Sequence, residues 1–371
     1  MLSRTLMLGL CILLTNAVLS QKSFNYIFEQ GMEEYACFRI PAIITSAKGH
    51  LLAFAEARKH SCSDTGDIDL VLRRSTDGGK SWGKMQVIWD DGENVCGNPA
   101  PVLEKRNGTV FLLMTWNLGK DHERDIIAGT SEDTRRVFLM QSIDEGVTWS
   151  TPKEITQSTK KPSWTWYATG PCHGIQLSKR TGYSDRLVIP CDHIEADTKH
   201  YYSHVIYSDD LGKTWEFSES TPQHQVNECT VAEMNNGELL LNMRNYDRTQ
   251  KNRKLSHSTD GGMTWSSLSD DPTLIEPICQ ASMISNLKRK KKHRFYFSNP
   301  ASQDKRERMT LRSSHNNGEN WQGSIVVHEG PSAYSDLVLL KRKQIGILYE
   351  GGIKSPYEGI AFERFALKDL K

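Results

Sequence analysis

The chain has 371 residues, with 46 lysines and arginines against 45 aspartates and glutamates. That near-neutral balance argues against a polyanion binder of the nucleic-acid kind. Eight cysteines with no CxxC pair argue against a zinc or dithiol redox centre.

The first element, residues 1–20, sets Arg4 before an apolar run that ends in small residues around Val18 and Ser20, the pattern of a secretory signal peptide. Later apolar runs are too short to cross a bilayer, so residues 21–371 are expected to form a single soluble domain, extracellular or lysosomal, without a transmembrane segment. The sequon "NGT" at Asn107 suits the same route as a glycosylation site. Removal of Cys11 with the signal leaves seven cysteines and hence at least one unpaired thiol.

Next come repeats. "STDGGKSW" at Ser75, "SIDEGVTW" at Ser142, "SDDLGKTW" at Ser208 and "STDGGMTW" at Ser258 share S-x-D-x-G-x-[ST]-W, with "SHNNGENW" at Ser314 a worn fifth copy. The Asp caps a tight turn, the Gly supplies a positive φ and the Trp packs beneath, which makes the box a folding device. Each box follows one short strand and precedes another, and a further hairpin stands upstream of it, beginning with "FRIPAIIT" and "GHLLAFAEAR". Two hairpins make a four-stranded antiparallel unit, and the chain holds six. The sixth has no box, and its outer strand is expected from "FNYIFEQ" near Phe24, joining the two chain ends. Such units arranged radially predict an all-β fold, a six-bladed β-propeller of four-stranded antiparallel blades. The basic run "KRKKKHR" from Lys288 to Arg294 falls between two strands as a solvated hairpin tip.

In every first hairpin the start of strand one and the end of strand two share one end, so around a ring those ends collect at one mouth of the channel. Arg39 and Arg58, Glu228 and Arg244, and Tyr334 and Glu350 arrive there from the first, fourth and sixth units.

With these residues among five boxes, the chain closely resembles the exo-α-sialidases (neuraminidases) with Asp boxes, over essentially the whole length after the signal. The resemblance implies a retaining exo-sialidase that removes terminal α-linked sialic acids from glycoproteins, oligosaccharides or gangliosides, with no metal or organic cofactor. It assigns a carboxylate-binding arginine cluster to Arg39 in "FRIP", Arg244 in "LNMRN" and Arg312 in "TLRSS", with Arg58 beside the sugar. Glu350 is implied as the counter-charge of Arg39, and Glu56 is a second suitable acid. Tyr334 matches the nucleophile, Glu228 the base that takes its proton, and Asp64 the acid/base on an arm over the mouth, with Asp67 and Asp69 as alternatives. A phenol suits a substrate whose own carboxylate would repel an attacking Asp or Glu. Trp116 and Asn117, and Asp192 and His193, end the second strands of units two and three and are expected to line the N-acyl and glycerol pockets. His173 stands where the family often has a small residue and is expected to alter the mouth. A trans-sialidase on the same scaffold, or a sialic-acid-binding propeller without turnover, are the alternative functions.

Overall fold

The computed structural model describes residues 24–287 and 293–370. The expected signal peptide and Lys288–Lys292 of the basic run lie outside the described residues. Strand β1 (Tyr26–Glu29) comes first in the chain but belongs to the last unit. The first unit is β2 (Cys37–Thr45), β3 (Leu51–Arg58), β4 (Ile68–Ser75) and β5 (Gln86–Trp89). The second is β6 (Val95–Leu103), β7 (Val110–Asn117), β8 (Arg136–Ser142) and β9 (Lys153–Glu154). A short helix, α1 (Glu123–Ala128), interrupts it between β7 and β8. In the third, the inner position is shared by β10 (Trp164–Thr169) and β11 (Ile175–Gln176), followed by β12 (Leu187–Glu195), β13 (Tyr201–Ser208) and β14 (Glu216–Phe217). The fourth is β15 (Val226–Glu233), β16 (Leu239–Asn245), β17 (Asn252–Ser258) and β18 (Ser269–Ile275).

The last two units share one long strand. β19 (Ser282–Asn286), β20 (Arg294–Pro300) and β21 (Glu307–Ser314) end on the first half of β22 (Gly323–Leu340). Its second half starts the sixth unit with β23 (Gln344–Gly351) and β24 (Gly359–Ala366), and β1 completes that unit, Phe28 facing Ile360. The closure expected from the Phe24 stretch is therefore present. All pairings within units are antiparallel, and the inner strands of successive units pack together until β22 meets β2. We read the six units as the blades of the propeller.

What holds the ring is apolar surface between units, because each sheet has a neighbour on both faces. Six clusters fill the six junctions, for example Phe54 and Leu52 against Leu112 and Val110 between the first and second units, and Val338 and Phe362 against Val71 and Phe38 where the ring closes. Five of the six receive a box tryptophan: Trp82, Trp149, Trp215, Trp265 and Trp321. Each box glycine sits against the preceding unit at positive φ. A Cβ on Gly79 would meet Phe362 at 2.1 Å, and one on Gly212 would meet Phe111 at 2.3 Å. Inside each of the four boxes that keep it, the Asp is fully used. Asp144 accepts from the amides of Val147 and Thr148 and from the hydroxyls of Ser142 and Thr148. The junction without a box, between the fifth and sixth units, is filled by Phe365, Leu367 and Leu370 from the C-terminal segment.

Candidate active site

Five inner strands carry a register break near the mouth, at Arg39/Ala42, Gly97/Ala100, Trp164/Tyr167, Val226/Cys229 and Ser332/Ser335. A bulge turns a side chain out of the strand alternation, and prolines tolerate such positions because no ladder amide is needed. This explains "CFRIPAI": Ile40, at φ +58°, and Pro41 sit in the break, so the strand's alternation stops just after Arg39, which stays paired with Glu56 and lines the channel mouth. A β-branched residue at positive φ is strained, and the strain is held by Glu350. That carboxylate accepts from the Ile40 amide at 2.9 Å, the Tyr334 amide at 3.1 Å and Arg39 Nε at 3.2 Å, with no exposed surface.

The pocket at this mouth is lined by Arg39, Glu56, Arg58, Asp64, Asp192, Glu228, Arg244 and Tyr334, all singled out from sequence. At its centre the Tyr334 hydroxyl donates to Glu228 Oε1 at 2.5 Å, while Arg244 Nη1 bonds Glu228 Oε2 at 2.6 Å and Tyr334 Oη at 3.0 Å. Burial, and next the Glu228 charge, push the Tyr334 phenol well above its usual range despite Arg244, Arg306 and Arg39. It is therefore a protonated phenol already bonded to a proton acceptor.

Asp64 lies on the loop after β3 with its side chain 60% exposed, held by Arg58 Nη1 at 2.7 Å and Arg39 Nη1 at 3.3 Å. Desolvation would raise its pKa, but Arg58 and then Arg39 outweigh it and hold the carboxyl below the ordinary range. Asp67 does not line the pocket, and Asp69 is buried on β4, accepting from the Tyr35 hydroxyl. Glu56 neutralises Arg58 at 2.6 Å and accepts from the Asn98 amide at 2.8 Å, tying the first unit to the second. Asp192 is 1% exposed, and its Oδ2 has no hydrogen-bond partner among the described residues. Burial first, and then Glu228, push its carboxyl well above the usual range, which favours the protonated form at the pocket wall.

Four of the expected lining residues lie elsewhere. Arg312 is not in the pocket; it donates to Asn299 at 2.9 Å, and Arg306 lines the wall instead, bonded to Tyr357 Oη at 2.9 Å and over the Tyr334 ring at 5.5 Å. The reason is register. Strand three begins at the mouth, so Arg306, just before β21, is at the rim, whereas Arg312 pairs with Phe297 about 17 Å along the strand. Trp116 packs between the first and second units and bonds Asp91 at 2.7 Å. Asn117 is fully buried, where it braces Arg135. His193 is stacked on Trp164 with ring centroids 3.7 Å apart and is bonded to His204, because neighbours in a strand face opposite sides.

His173 does not shape this mouth either. It bonds Asp336 at 2.7 Å and faces the cavity at the other end of the channel. Asn107 is exposed in the turn between β6 and β7, away from the site. Lining residues that the motifs did not indicate are Arg306, Arg135, Glu123 on α1, Asn98, Trp166 and Tyr246. Arg135 bonds Asn98, Asn117 and Thr115 and lies 3.9 Å from the Trp166 ring centroid. Its signal was available: "TRRVFLMQS" opens strand three of the second unit, the same place that Arg306 holds in the fifth.

A BNR repeat-like domain model matches residues 49–347. An exo-alpha-sialidase of Aspergillus fumigatus is 31% identical over 89% of this chain and 84% of its own length. The chain belongs to the sialidase family. A sialidase of Bacteroides fragilis is 33% identical over 92% of this chain, and human sialidase-3 is 29% identical over 94%. The chain spans 64% of the Bacteroides fragilis protein. Among solved structures, a Hadza microbial sialidase superposes with a TM-score of 0.84 at 30% identity, covering 93% of this chain and 69% of its own. A leech intramolecular trans-sialidase shares the fold with a TM-score of 0.78 at 18% identity, covering 95% of this chain and 71% of its own.

Proposed function

We propose that the protein is a retaining exo-α-sialidase that hydrolyses terminal α-linked sialic acids of glycoproteins, oligosaccharides or gangliosides through a covalent sialyl-tyrosine intermediate. The observation that carries this is the Tyr334–Glu228–Arg244 cluster in a pocket whose other wall bears Asp64. Arg39, Arg244 and Arg306 would grip the sugar carboxylate, and Tyr334 would attack the anomeric carbon as Glu228 takes the phenolic proton. Asp64 would protonate the departing oxygen. In the second half, Asp64 would take a proton from water as the water displaces Tyr334, and Glu228 would return the proton to the phenolate, giving net retention. The free-site ionisation of Asp64 is consistent with this order: a substrate carboxylate seated on Arg39 offsets the charge that depresses Asp64, which then gains its proton when the leaving group arrives.

A Trypanosoma rangeli sialidase of the same fold is known with 2,3-difluorosialic acid as a covalent intermediate. The test is to incubate this protein with that compound and map the adduct by peptide mass spectrometry. A 3-fluorosialyl adduct on Tyr334, formed with release of the C2 fluoride, is expected; an adduct elsewhere, or none during inactivation, would overturn the reading. Free sialic acid as product of 3'-sialyllactose turnover separates hydrolysis from intramolecular transfer, which gives the 2,7-anhydro sugar. We further place the protein in the secretory pathway, extracellular or lysosomal, a reading supported by a Cys37–Cys62 disulfide and an exposed Asn107 sequon.

A further inference from the structure

The Asp64 arm has little packing of its own. Its base is closed by the Lys59 amide donating to Asp67 O at 3.1 Å, and its far side touches the second unit through the Gly66 amide and Gly119 O at 2.9 Å. Between those points residues 60–64 are exposed except Cys62, whose sulfur is joined to Cys37 with a Cα separation of 5.2 Å. Cys37 is fully buried at the start of β2, two residues before Arg39, and Cys62 stands two residues before Asp64. The Cys62 carbonyl also accepts from Arg58 Nη1 at 2.6 Å, and the same nitrogen holds Asp64. The disulfide thus fixes the loop's backbone to the strand that supplies Arg39, at equal sequence distance from both working side chains.

We propose that the Cys37–Cys62 disulfide is a positioning device for Asp64 and makes transfer from poor leaving groups depend on its oxidised state. This rests on Asp64 acting as the acid of the sialidase reaction. A mostly exposed carboxyl held only by two guanidiniums reaches one place if its backbone is fixed, and misplacement of about 1 Å costs on the order of 100-fold in rate. Reduction by a dithiol such as dithiothreitol passes two electrons and two protons to the pair, breaking one S–S bond and forming two thiols while the reagent closes to its own cyclic disulfide. The loop would then keep its base, its Gly66 contact and the Arg58 bond to the Cys62 carbonyl, but lose its covalent tether beside Asp64. Among the described residues the five other cysteines, Cys96, Cys172, Cys191, Cys229 and Cys279, are free and buried, and burial pushes each thiol up, so the response belongs to this pair.

The test compares native enzyme, dithiothreitol-treated enzyme and Cys62→Ser on sialyllactose and on an aryl sialoside in single turnover, with binding of a 2,3-unsaturated sialic acid measured alongside. Expected is a fall of about 10–100-fold on sialyllactose, a change under about 3-fold on the aryl substrate, and inhibitor binding within about 3-fold. Unchanged sialyllactose turnover in the reduced and Cys62→Ser proteins would overturn the proposal. So would equal loss on both substrates with loss of inhibitor binding, which would make the disulfide a support of the whole pocket. Asp64→Ala in parallel separates the two claims: if it shows no leaving-group selectivity, the acid assignment fails; if it does and Cys62→Ser does not, only the tether fails.

Discussion

The box turns and the mouth are both built where strands of one blade turn back, and both spend carboxylates and positive-φ residues, but they spend them in opposite ways. A box closes on itself: Asp210 meets the amides of Lys213 and Thr214, three and four residues away, and the motif repeats because each copy solves the same local problem. The mouth is assembled once. Arg39 meets Glu350 across 311 residues and Tyr334 meets Glu228 across 106, so each pair exists only if the ring closes in register. Carboxylates in the boxes are saturated by donors, whereas Asp64 and Asp192 are left with capacity facing the pocket. Repetition therefore marks what folds the protein, and departure from repetition marks what it does.

The contrast is tested most strongly at the mouth centre. Tyr334→Phe and Glu228→Gln should each lower sialoside turnover by at least ~10²–10⁴-fold, the scale of losing a nucleophile's activation, with little change in melting temperature. Substituting a box residue such as Thr214→Ala should leave turnover within about 2-fold. Comparable activity losses at mouth and box, read by steady-state kinetics, would erase the distinction.

A sharper version sits within a single strand. Arg306→Ala should weaken a 2,3-unsaturated sialic acid by about 2–5 kcal/mol, the usual result of leaving the partner charge of a desolvated pair without its mate. Arg312→Ala removes a bond to Asn299 and should leave binding within about 2-fold. Calorimetric titration giving the reverse order would restore Arg312 to the cluster and show that register does not choose the residue.

Proton inventory separates the two substrates' demands. Because Arg58 and Arg39 hold Asp64 below the ordinary carboxylate range, its acid form in the free site is lost as pH rises through that lowered value. The value of kcat/KM for sialyllactose should therefore fall as pH rises through the acidic range, and the corresponding limb of kcat should lie at higher pH, where bound carboxylate offsets the arginines. For an aryl sialoside that needs no proton, the limb should be absent from the first step. Coincident limbs for kcat and kcat/KM would mean that substrate charge does not tune Asp64.

These comparisons also locate what was legible in the residues. Blades, boxes and the pairing of Phe24's neighbourhood with the C-terminal strand followed from local periodicity, which each segment carries in full. Arg39, Arg58, Glu228, Arg244, Tyr334 and Glu350 followed from one geometric rule, that strand-one starts and strand-two ends share a mouth. That rule does not say which of two adjacent side chains lines the pocket: of Asp192 and His193 only Asp192 does, while Trp116 and Asn117 are both held away from it by Asp91 and Arg135. The rule covers first hairpins and leaves out strand-three starts, where Arg135 and Arg306 stand. The family motif points to Arg312, whereas distance along β21 puts Arg306 at the rim. The disulfide partner of Cys37 has no local signature among the six other cysteines after the signal.

The smallest expected effect comes from making one box resemble the worn one. In the fifth copy Asn316 keeps the Ser314 hydroxyl and Asn320 amide bonds, and its amide turns to Glu319. Asp144→Asn should likewise keep its bonds from the backbone amides and lose the charge assistance, a cost on the order of 1 kcal/mol at an exposed turn, with turnover unchanged. Desolvation opposes ionisation of Asp144, but donors led by Thr148 outweigh it and bring its pKa down to about 2. The unfolded value is about 3.9, so the charge stabilises the fold fully above that pH, and the contribution disappears as pH falls through about 2. The stability gap between the two proteins in denaturant titrations should therefore be constant from neutrality to about pH 5 and shrink below pH 4. A gap that grew on acidification would mean that the box carboxylate is uncharged in the native protein and that the boxes, like the mouth, hold an acid in reserve.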